Sequence, residues 1–286
     1  MILLDYSGIA MGSMFSQKSN NIDEDFLRHQ ILNSLRMYNL KYRDKYGKMI
    51  IACDGGSWRK NVFAEYKAAR KTNREKSDID WDAIWTMINK IREEIVEFLP
   101  YKVVQVKGAE ADDIIATLTE TTQEFGMCED VMIVSADKDF IQLQKYSNVK
   151  QFSPMTKKNV TDKNPRKYLQ EHILRGDAGD GVPNVLSPDN VFLTDERQTP
   201  LRKPQLTIWM DNFSDIQNHM DADTYRNFFR NQRVIDLSQI PNEVVTEILD
   251  EWNAQPSTLN AKVMNYLMKK RCKMLLGSVG DFFEAK

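Results

Sequence analysis

The sequence is poor in the residues that build structural zinc sites and disulfide frameworks. Its 286 residues include three cysteines, Cys53, Cys128 and Cys272, and three histidines. The cysteines form no C-x-x-C pair and the histidines supply no ligand spacing beside them, which argues against a structural zinc site. An odd, sparse set of cysteines fits a reducing cytosol, so a cytoplasmic protein is expected. No apolar run reaches the roughly 18 residues of a membrane span, so no membrane partner is expected. The apolar start, residues 1–4, has no basic flank and is broken by Asp5, so it does not read as a signal peptide. Internal repeats and low-complexity tracts are missing as well. So is any strong excess of one charge: the formal net charge is only −2. A nucleic-acid binder often looks basic. Here the total conceals a segregation of charge along the chain.

What is present is a globular pattern, with 42% hydrophobic and 28% charged residues. Residues 1–5, 48–54, 102–106 and 130–135 read as short apolar strands. Residues 23–46, 81–99 and 111–125 carry helical apolar spacing. Alternating strands and helices imply an α/β fold with a mostly parallel central sheet flanked by helices. After about residue 160 strong strands vanish. The expected division is a core over 1–160 and a helical C-terminal domain over 161–286.

Acids stand where these strands end. Asp5 and Asp54 close two strands, and Asp137 and Asp139 follow a third. Glu110 and Asp112 open a helix just after another. In open α/β sheets the functional crevice lies beyond the carboxyl ends of the strands, so these six acids are expected at one edge. Crowded carboxylates repel one another unless cations compensate. Oxygen-only ligands favour Mg²⁺ or Mn²⁺ over zinc. Asp177 and Asp180 share an i, i+3 spacing, and Gly176, Gly179 and Gly181 around them permit tight turns and close approach to a phosphate. Any one of these acids is equally well an ordinary turn residue or helix cap. Asp113 reads as a helix-start acid with a supporting role at most.

Residues 57–76 hold Arg59, Lys60, Lys67, Arg70, Lys71, Arg74 and Lys76 against Glu65 and Glu75, with Trp58, Phe63 and Tyr66 interleaved. Cations neutralise phosphates and aromatic faces stack on bases. A solvated helix face is the plain alternative, and Tyr66 either stacks on a base or packs this segment.

LLDYSG, IIACDGG, GAEADDIIA, VSADKDFIQL and GDAGDGVPNV, in this order, resemble the 5′ nuclease family of flap endonucleases and polymerase 5′ nuclease domains. Residues 27–39, 145–158 and 234–244 resemble the ribonucleases H of T-even bacteriophages within that family. The resemblance implies a PIN-like nuclease core with a basic arch near 55–80. It also implies a helix–three-turn–helix around the glycine-rich segment, often holding K⁺. It implies two Mg²⁺ sites, with Asp5, Asp54, Glu110 and Asp112 at the first, Asp137 near both, and Asp139, Asp177 and Asp180 at the second. Lys67 and Arg70 match the family's phosphate-steering pair, and Arg59 is a further phosphate-contact candidate. The implied activity is that of a 5′–3′ exonuclease, flap endonuclease and ribonuclease H removing RNA primers. Its substrates would be DNA and RNA–DNA hybrids with 5′ ends or flaps. The setting would be the host-cell cytoplasm for a phage-encoded monomer, with a single-strand-binding protein as partner. The polar stretch after Val185 departs from the family pattern and reads as a flexible insertion over 186–200.

Two rival readings exist. A haloacid-dehalogenase-type phosphatase also starts with an apolar strand ending in Asp, but wants a second acid where Ser7 stands. A non-catalytic nucleic-acid-binding replication factor would have lost a metal acid, and none is lost. Near the end of the sequence, Phe282 and Phe283 either dock in a sliding clamp or pack on their own domain. The lysines and arginine between Lys262 and Lys286 either face DNA or are merely solvated.

Overall fold

Strands that are apolar on both faces are stable only when covered on both, and four such runs form the centre of this molecule. The structure is a computed structural model. It describes residues 1–16, 22–124, 127–194, 196–255 and 262–284, and for Asn73 the backbone only. The central strands are β1 (Ile2–Asp5), β2 (Met49–Cys53), β3 (Lys102–Gln105) and β4 (Val131–Val134), all parallel. β5 (Val149–Ser153) adds in parallel to β4, and β6 (Lys158–Val160) closes that edge antiparallel. The order β3-β2-β1-β4-β5-β6 turns outward in both directions from β1 and β4. A crevice is therefore expected where these two strands end.

The helices, in chain order, are α1 (Tyr6–Phe15), α2 (Glu24–Tyr46), α3 (Ala68–Glu75), α4 (Trp81–Phe98) and α5 (Ala111–Thr121). They continue with α6 (Pro165–Arg175), α7 (Lys203–Asp211), α8 (Ala222–Ile235), α9 (Asn242–Ala254) and α10 (Val263–Lys269). Alternate strand residues feed opposite layers. Ile2, Leu4 and Ile51 face α1, α2, α4 and α10, whereas Leu3, Ile50 and Val104 face α5 and α9. A third cluster joins α6, α7 and α8 to Phe63 and Tyr66.

One expectation needs correcting, that of a loose insertion over 186–200. The helices of residues 161–286 divide their packing, α6, α7 and α8 forming a cluster of their own. Leu237 to Ile248 rejoin the α5 face, and Val263 to Phe282 rejoin the α2 and α4 face. The segment 186–200 is pinned instead of loose. Ser187 and Val191 are buried, the Asn184 side chain donates to the Thr199 carbonyl at 2.8 Å, and Asp189 pairs with Arg226 and Arg230. Residue 195 lies outside the described residues. Of the two readings of the paired aromatics near the end, Phe282 follows the packed one, whereas Phe283 is exposed. Phe282 sits in the core, and Asn39 donates to the carbonyls of Asp281 and Phe283, at 2.8 Å each. Lys286 lies outside the described residues.

The sequence reading passed over α1 and the β5–β6 hairpin. Helix α1 contains Gly8 and Gly12, both poor helix formers. It forms because Asp5 caps it and Tyr6, Ile9, Ala10 and Met14 bury one side.

One buried ion network ties the outer layer together. Glu94 on α4 accepts from Arg28 at 2.7 Å and from the Tyr266 hydroxyl at 2.7 Å, and also pairs with Lys270. Arg28 is fully buried. Glu94→Ala would leave Arg28 with Glu24 and Asp25 and take an acceptor from Tyr266 and Lys270, so a loss of about 1–3 kcal/mol is expected. Urea unfolding followed by circular dichroism measures it.

Candidate metal centre and nucleic-acid interface

The carboxyl ends of β1, β2 and β4 lie side by side, and each delivers an acid to the same edge. Asp5 ends β1 and caps α1, accepting from the Gly8 amide at 2.9 Å and from the Ser135 hydroxyl at 2.9 Å. A Cβ on Gly8 would stand 2.7 Å from an Asp5 oxygen, so glycine is what lets the helix come this close. Asp54 follows β2 and accepts from the Ala111 amide at 2.9 Å and the Ser7 hydroxyl at 2.6 Å. Ala111 opens α5, so Asp54, Glu110 and Asp112 gather at the positive end of that helix. Asp137 follows β4 and caps the 3₁₀ turn Lys138–Lys145 by accepting from the Asp139 amide at 2.9 Å.

The chain beyond the sheet completes the cluster. Asp177 receives the amides of Gly179 and Asp180 at 2.7 and 3.2 Å. Gly176 holds φ at +69°, and a Cβ there would lie 2.3 Å from the Val182 carbonyl oxygen, so the reversal after α6 demands glycine. Lys67 also holds a left-handed φ of 56°, and its amide donates to the Asp180 carbonyl at 2.8 Å. A lysine in that region is mildly strained, and the strain is held by its surroundings. The result places its ammonium between Glu110 and Asp180. Arg70 pairs with Asp180 as well.

These carboxylates feel one another. Burial pushes Asp5 up to about 6, with the Asp54 and Asp137 charges adding to it. Burial and then Asp137 hold Asp112 well above the usual carboxylate range. Burial and the charges of Asp180 and Asp177 also raise Asp137. Asp139 is pushed up to about 8 by burial and by Asp137. Asp177 is held low by its contact with His172. Burial would raise Glu110, but Lys67 and Arg59 bring it below its ordinary value. Among the described residues, no salt bridge reaches Asp5, Asp54, Asp112 or Asp137, whereas Glu110 and Asp180 have cationic partners. Uncompensated, mutually destabilising oxygen donors are the chemistry that a hard divalent cation satisfies. The residues present therefore fit such an ion.

The structure brings Asp5, Asp54, Glu110, Asp112, Asp137, Asp139, Asp177 and Asp180 together with Lys67 and Arg70. It does not bring Arg59 to the surface. That side chain is 3% exposed, bonds Glu110 and Asp113 at 3.0 and 2.9 Å, and donates to the Val234 carbonyl, so it has no free face for a phosphate. Asp113 is fully buried and completes the α5 cap, a structural task. Tyr66 is buried too. Its hydroxyl meets Asp180 at 2.8 Å and Glu110 at 3.0 Å, so it packs this segment and stacks on no base here. Trp58 and Phe63 are likewise core residues. The basic groove is instead lined by Lys60, Lys71, Arg74 and the half-buried Trp81 and Trp85, around a volume of about 750 Å³ beside Asp54. The Arg74 guanidinium lies 5.2 Å from the Trp85 ring.

Sequence reasoning missed His172, set aside because the histidines showed no ligand spacing. Its ring nitrogens stand 3.2 Å from Asp139 and 3.5 Å from Asp177. Burial disfavours its charge, but Asp177 and Asp139 outweigh burial and raise its pKa. The one available signal was its place five residues before Asp177, within the last turns of α6. The contacts by which Ser7 and Ser135 orient Asp54 and Asp5 had no signal in the sequence either.

An α/β sheet with this acidic edge and a flanking cationic helix defines a divalent-metal phosphodiester hydrolase. The family model described as 5′-3′ exonuclease, N-terminal resolvase-like domain, matches residues 1–172. The one described as T4 RNase H, C terminal, matches residues 165–282. The ribonuclease H of Enterobacteria phage T4 is 30% identical over 293 residues, covering 98% of this chain and 95% of that protein. Among solved structures, a T5 5′-exonuclease with bound zinc superposes with a TM-score of 0.63 at 15% identity. It covers 88% of this chain and 98% of its own. A T5 flap endonuclease in complex with DNA and metal ions gives a TM-score of 0.59 at 17% identity, with the same coverage. At these identities the two structures speak for the fold. The chain belongs to the 5′–3′ exonuclease family, in the branch that carries the T4 ribonuclease H C-terminal region. The phosphatase reading falls with this, as Ser7 serves Asp54 where that chemistry needs a second acid.

Carboxyls with raised pKa hold their protons more tightly in the folded chain than in the unfolded one. The stability of the ion-free protein therefore falls as pH rises from about 5 to about 8, through the values of Asp5 and Asp139. Carboxylates held low, such as Glu94 and Asp177, act in the opposite sense only at lower pH. Chelator-treated protein should melt at a higher temperature near about pH 5 than near about pH 8, and excess Mg²⁺ should erase most of the difference. Scanning calorimetry at both pH values, with and without Mg²⁺, checks this.

Proposed function

We propose that this protein is a Mg²⁺-dependent 5′ nuclease that removes RNA primers and 5′ flaps during DNA replication, working on RNA–DNA hybrids and DNA with 5′ ends. The observation that carries it is the convergence of eight acids with Lys67 and Arg70 at one sheet edge, in a chain of this family. Divalent ions held there supply Lewis acidity toward water and toward the oxygens of the scissile phosphate. Asp5, Asp54, Glu110 and Asp112 would hold the first ion, by direct or water-mediated contacts. Asp137 would lie near both, and Asp139, Asp177 and Asp180 would hold the second. Mn²⁺ would substitute for Mg²⁺.

Lys67 and Arg70 have the second task. In the ion-free protein they neutralise Glu110 and Asp180. With cations bound to those acids, both side chains become available to the phosphate and offset the charge it develops. The groove beside them, with Lys71 and Arg74 over Trp81 and Trp85, suits a single-stranded 5′ end. The turn holding Gly176, Gly179 and Gly181 suits the duplex backbone, and would hold a K⁺ in that task. No carboxylate needs to act as a covalent nucleophile. Action as a monomer in the cytoplasm of a phage-infected host, beside a single-strand-binding protein, belongs to the same reading. A sliding-clamp contact through the chain end would rest on Phe283, as Phe282 is buried.

Two variants separate the roles. Asp137→Asn should lower cleavage of a 5′-labelled flap or RNA–DNA hybrid by at least about a thousandfold while leaving DNA binding intact. Near-normal turnover by that variant would sink the metal assignment. Lys67→Ala should slow the same reaction by about 10²–10³-fold while metal binding, read by calorimetry, stays close to wild type.

A further inference from the structure

The second cation position contains a donor that an all-carboxylate site does not. Asp139, His172 and Asp177 each offer one ligand atom, and these atoms lie within 4.8 Å of one another. They come from separate elements: the turn after β4, helix α6, and the loop that follows α6. The imidazole is held in place before any ion arrives. It sits one turn from the end of α6, mostly buried, with the Tyr168 ring edge-on at 5.8 Å. Its Nδ1 faces Asp139 and its Nε2 faces Asp177. One nitrogen is thus placed to ligate while the other donates its N–H to a carboxylate, the arrangement that fixes the tautomer of metal-bound histidines.

We propose that His172 is a nitrogen ligand of the second divalent cation, making that position a mixed nitrogen–oxygen site that favours nitrogen-tolerant transition ions such as Mn²⁺ over Mg²⁺. This rests on the metal-centre reading above and adds to it. Imidazole nitrogen contributes little to the binding of Mg²⁺, a hard oxygen-seeking ion that gives up its waters reluctantly. It contributes more to first-row transition ions, whose affinities rise along the series from Mn²⁺. The alternative role for this side chain is a counter-ion, a protonated imidazole that only offsets the charges of Asp139 and Asp177. A counter-ion never touches the metal and gives no preference for nitrogen-tolerant ions, so the two roles differ in a measurable way.

The test is pulsed electron paramagnetic resonance of Mn²⁺ bound to the full chain, comparing unlabelled protein with protein carrying ¹⁵N-histidine. The expected result is a nitrogen coupling that changes with the label and disappears in His172→Gln. His29 and His219, elsewhere in the chain, serve as controls and should be silent when replaced. In direct binding titrations the Mn²⁺-to-Mg²⁺ affinity ratio at the second site should fall by about 10-fold or more in His172→Gln. Mn²⁺ bound without nitrogen coupling, or coupling that survives the substitution, overturns this inference and leaves the carboxylate centre standing. No Mn²⁺ binding at all overturns the metal-centre reading and this inference with it. If His172→Gln folds poorly, loss of the nitrogen coupling in His29→Gln or His219→Gln overturns the inference and its survival in both assigns it to His172, so the question does not stay open.

Discussion

Electrostatic repulsion, held in place by a rigid sheet, is the constraint around which this protein is built. Strands β1, β2 and β4 fix Asp5, Asp54 and Asp137 at neighbouring positions, and the backbone has no freedom to separate them. The fold offsets the repulsion in several ways. Amides of Gly8, Ala111 and Asp139 donate to the carboxylates, and hydroxyls of Ser7 and Ser135 do the same. Helix α5 points its positive end at three of them. Lys67, Arg70 and Arg59 serve Glu110 and Asp180. What remains uncompensated is what a divalent ion would use, so stability is given up where chemistry is needed.

The cationic segment and the glycine-rich turn are joined by their backbones as well as by their charges. The Lys67 amide reaches the Asp180 carbonyl, and Gly181 packs so closely that a Cβ would touch the Glu65 carbonyl at 3.4 Å. Phe63 and Tyr66 enter the same apolar cluster as α6 and α8. The basic segment is therefore seated on the C-terminal helices, and its charged side chains take their positions from that seat.

The sheet and its acids were legible in the sequence because their signals are local. An apolar run ending in Asp reads as a buried strand with a terminal acid, and parallel topology brings those ends together. Burial of the basic segment was not legible. Arg59 and Tyr66 look like phosphate and base contacts in a cationic stretch, and only tertiary packing turns Arg59 into the buried partner of Glu110 and Asp113. His172 was missed because metal-ligand spacing was sought along the chain, whereas its companions come from a turn before α6 and a loop after it. The segment 186–200 looked loose because its anchors, Arg226 and Arg230, lie about 40 positions away. Helix α1 escaped because glycines mask a helix that an acidic cap and a buried face sustain.

The two family models meet within residues 165–172, which invites a view of the chain as two separable modules. The acids contradict that view. Asp5 through Asp139 lie on one side of the junction, and Asp177 and Asp180 on the other. Lys67 belongs to the first part, yet it pairs with Asp180 of the second as well as with Glu110, and its amide N–H donates to the Asp180 carbonyl. A fragment ending at the junction would keep a complete sheet and six of the eight acids, without Asp177 and Asp180. In the proposed reading a full set of acids needs both parts, and recombining halves from different relatives would have to preserve this shared seam before anything else.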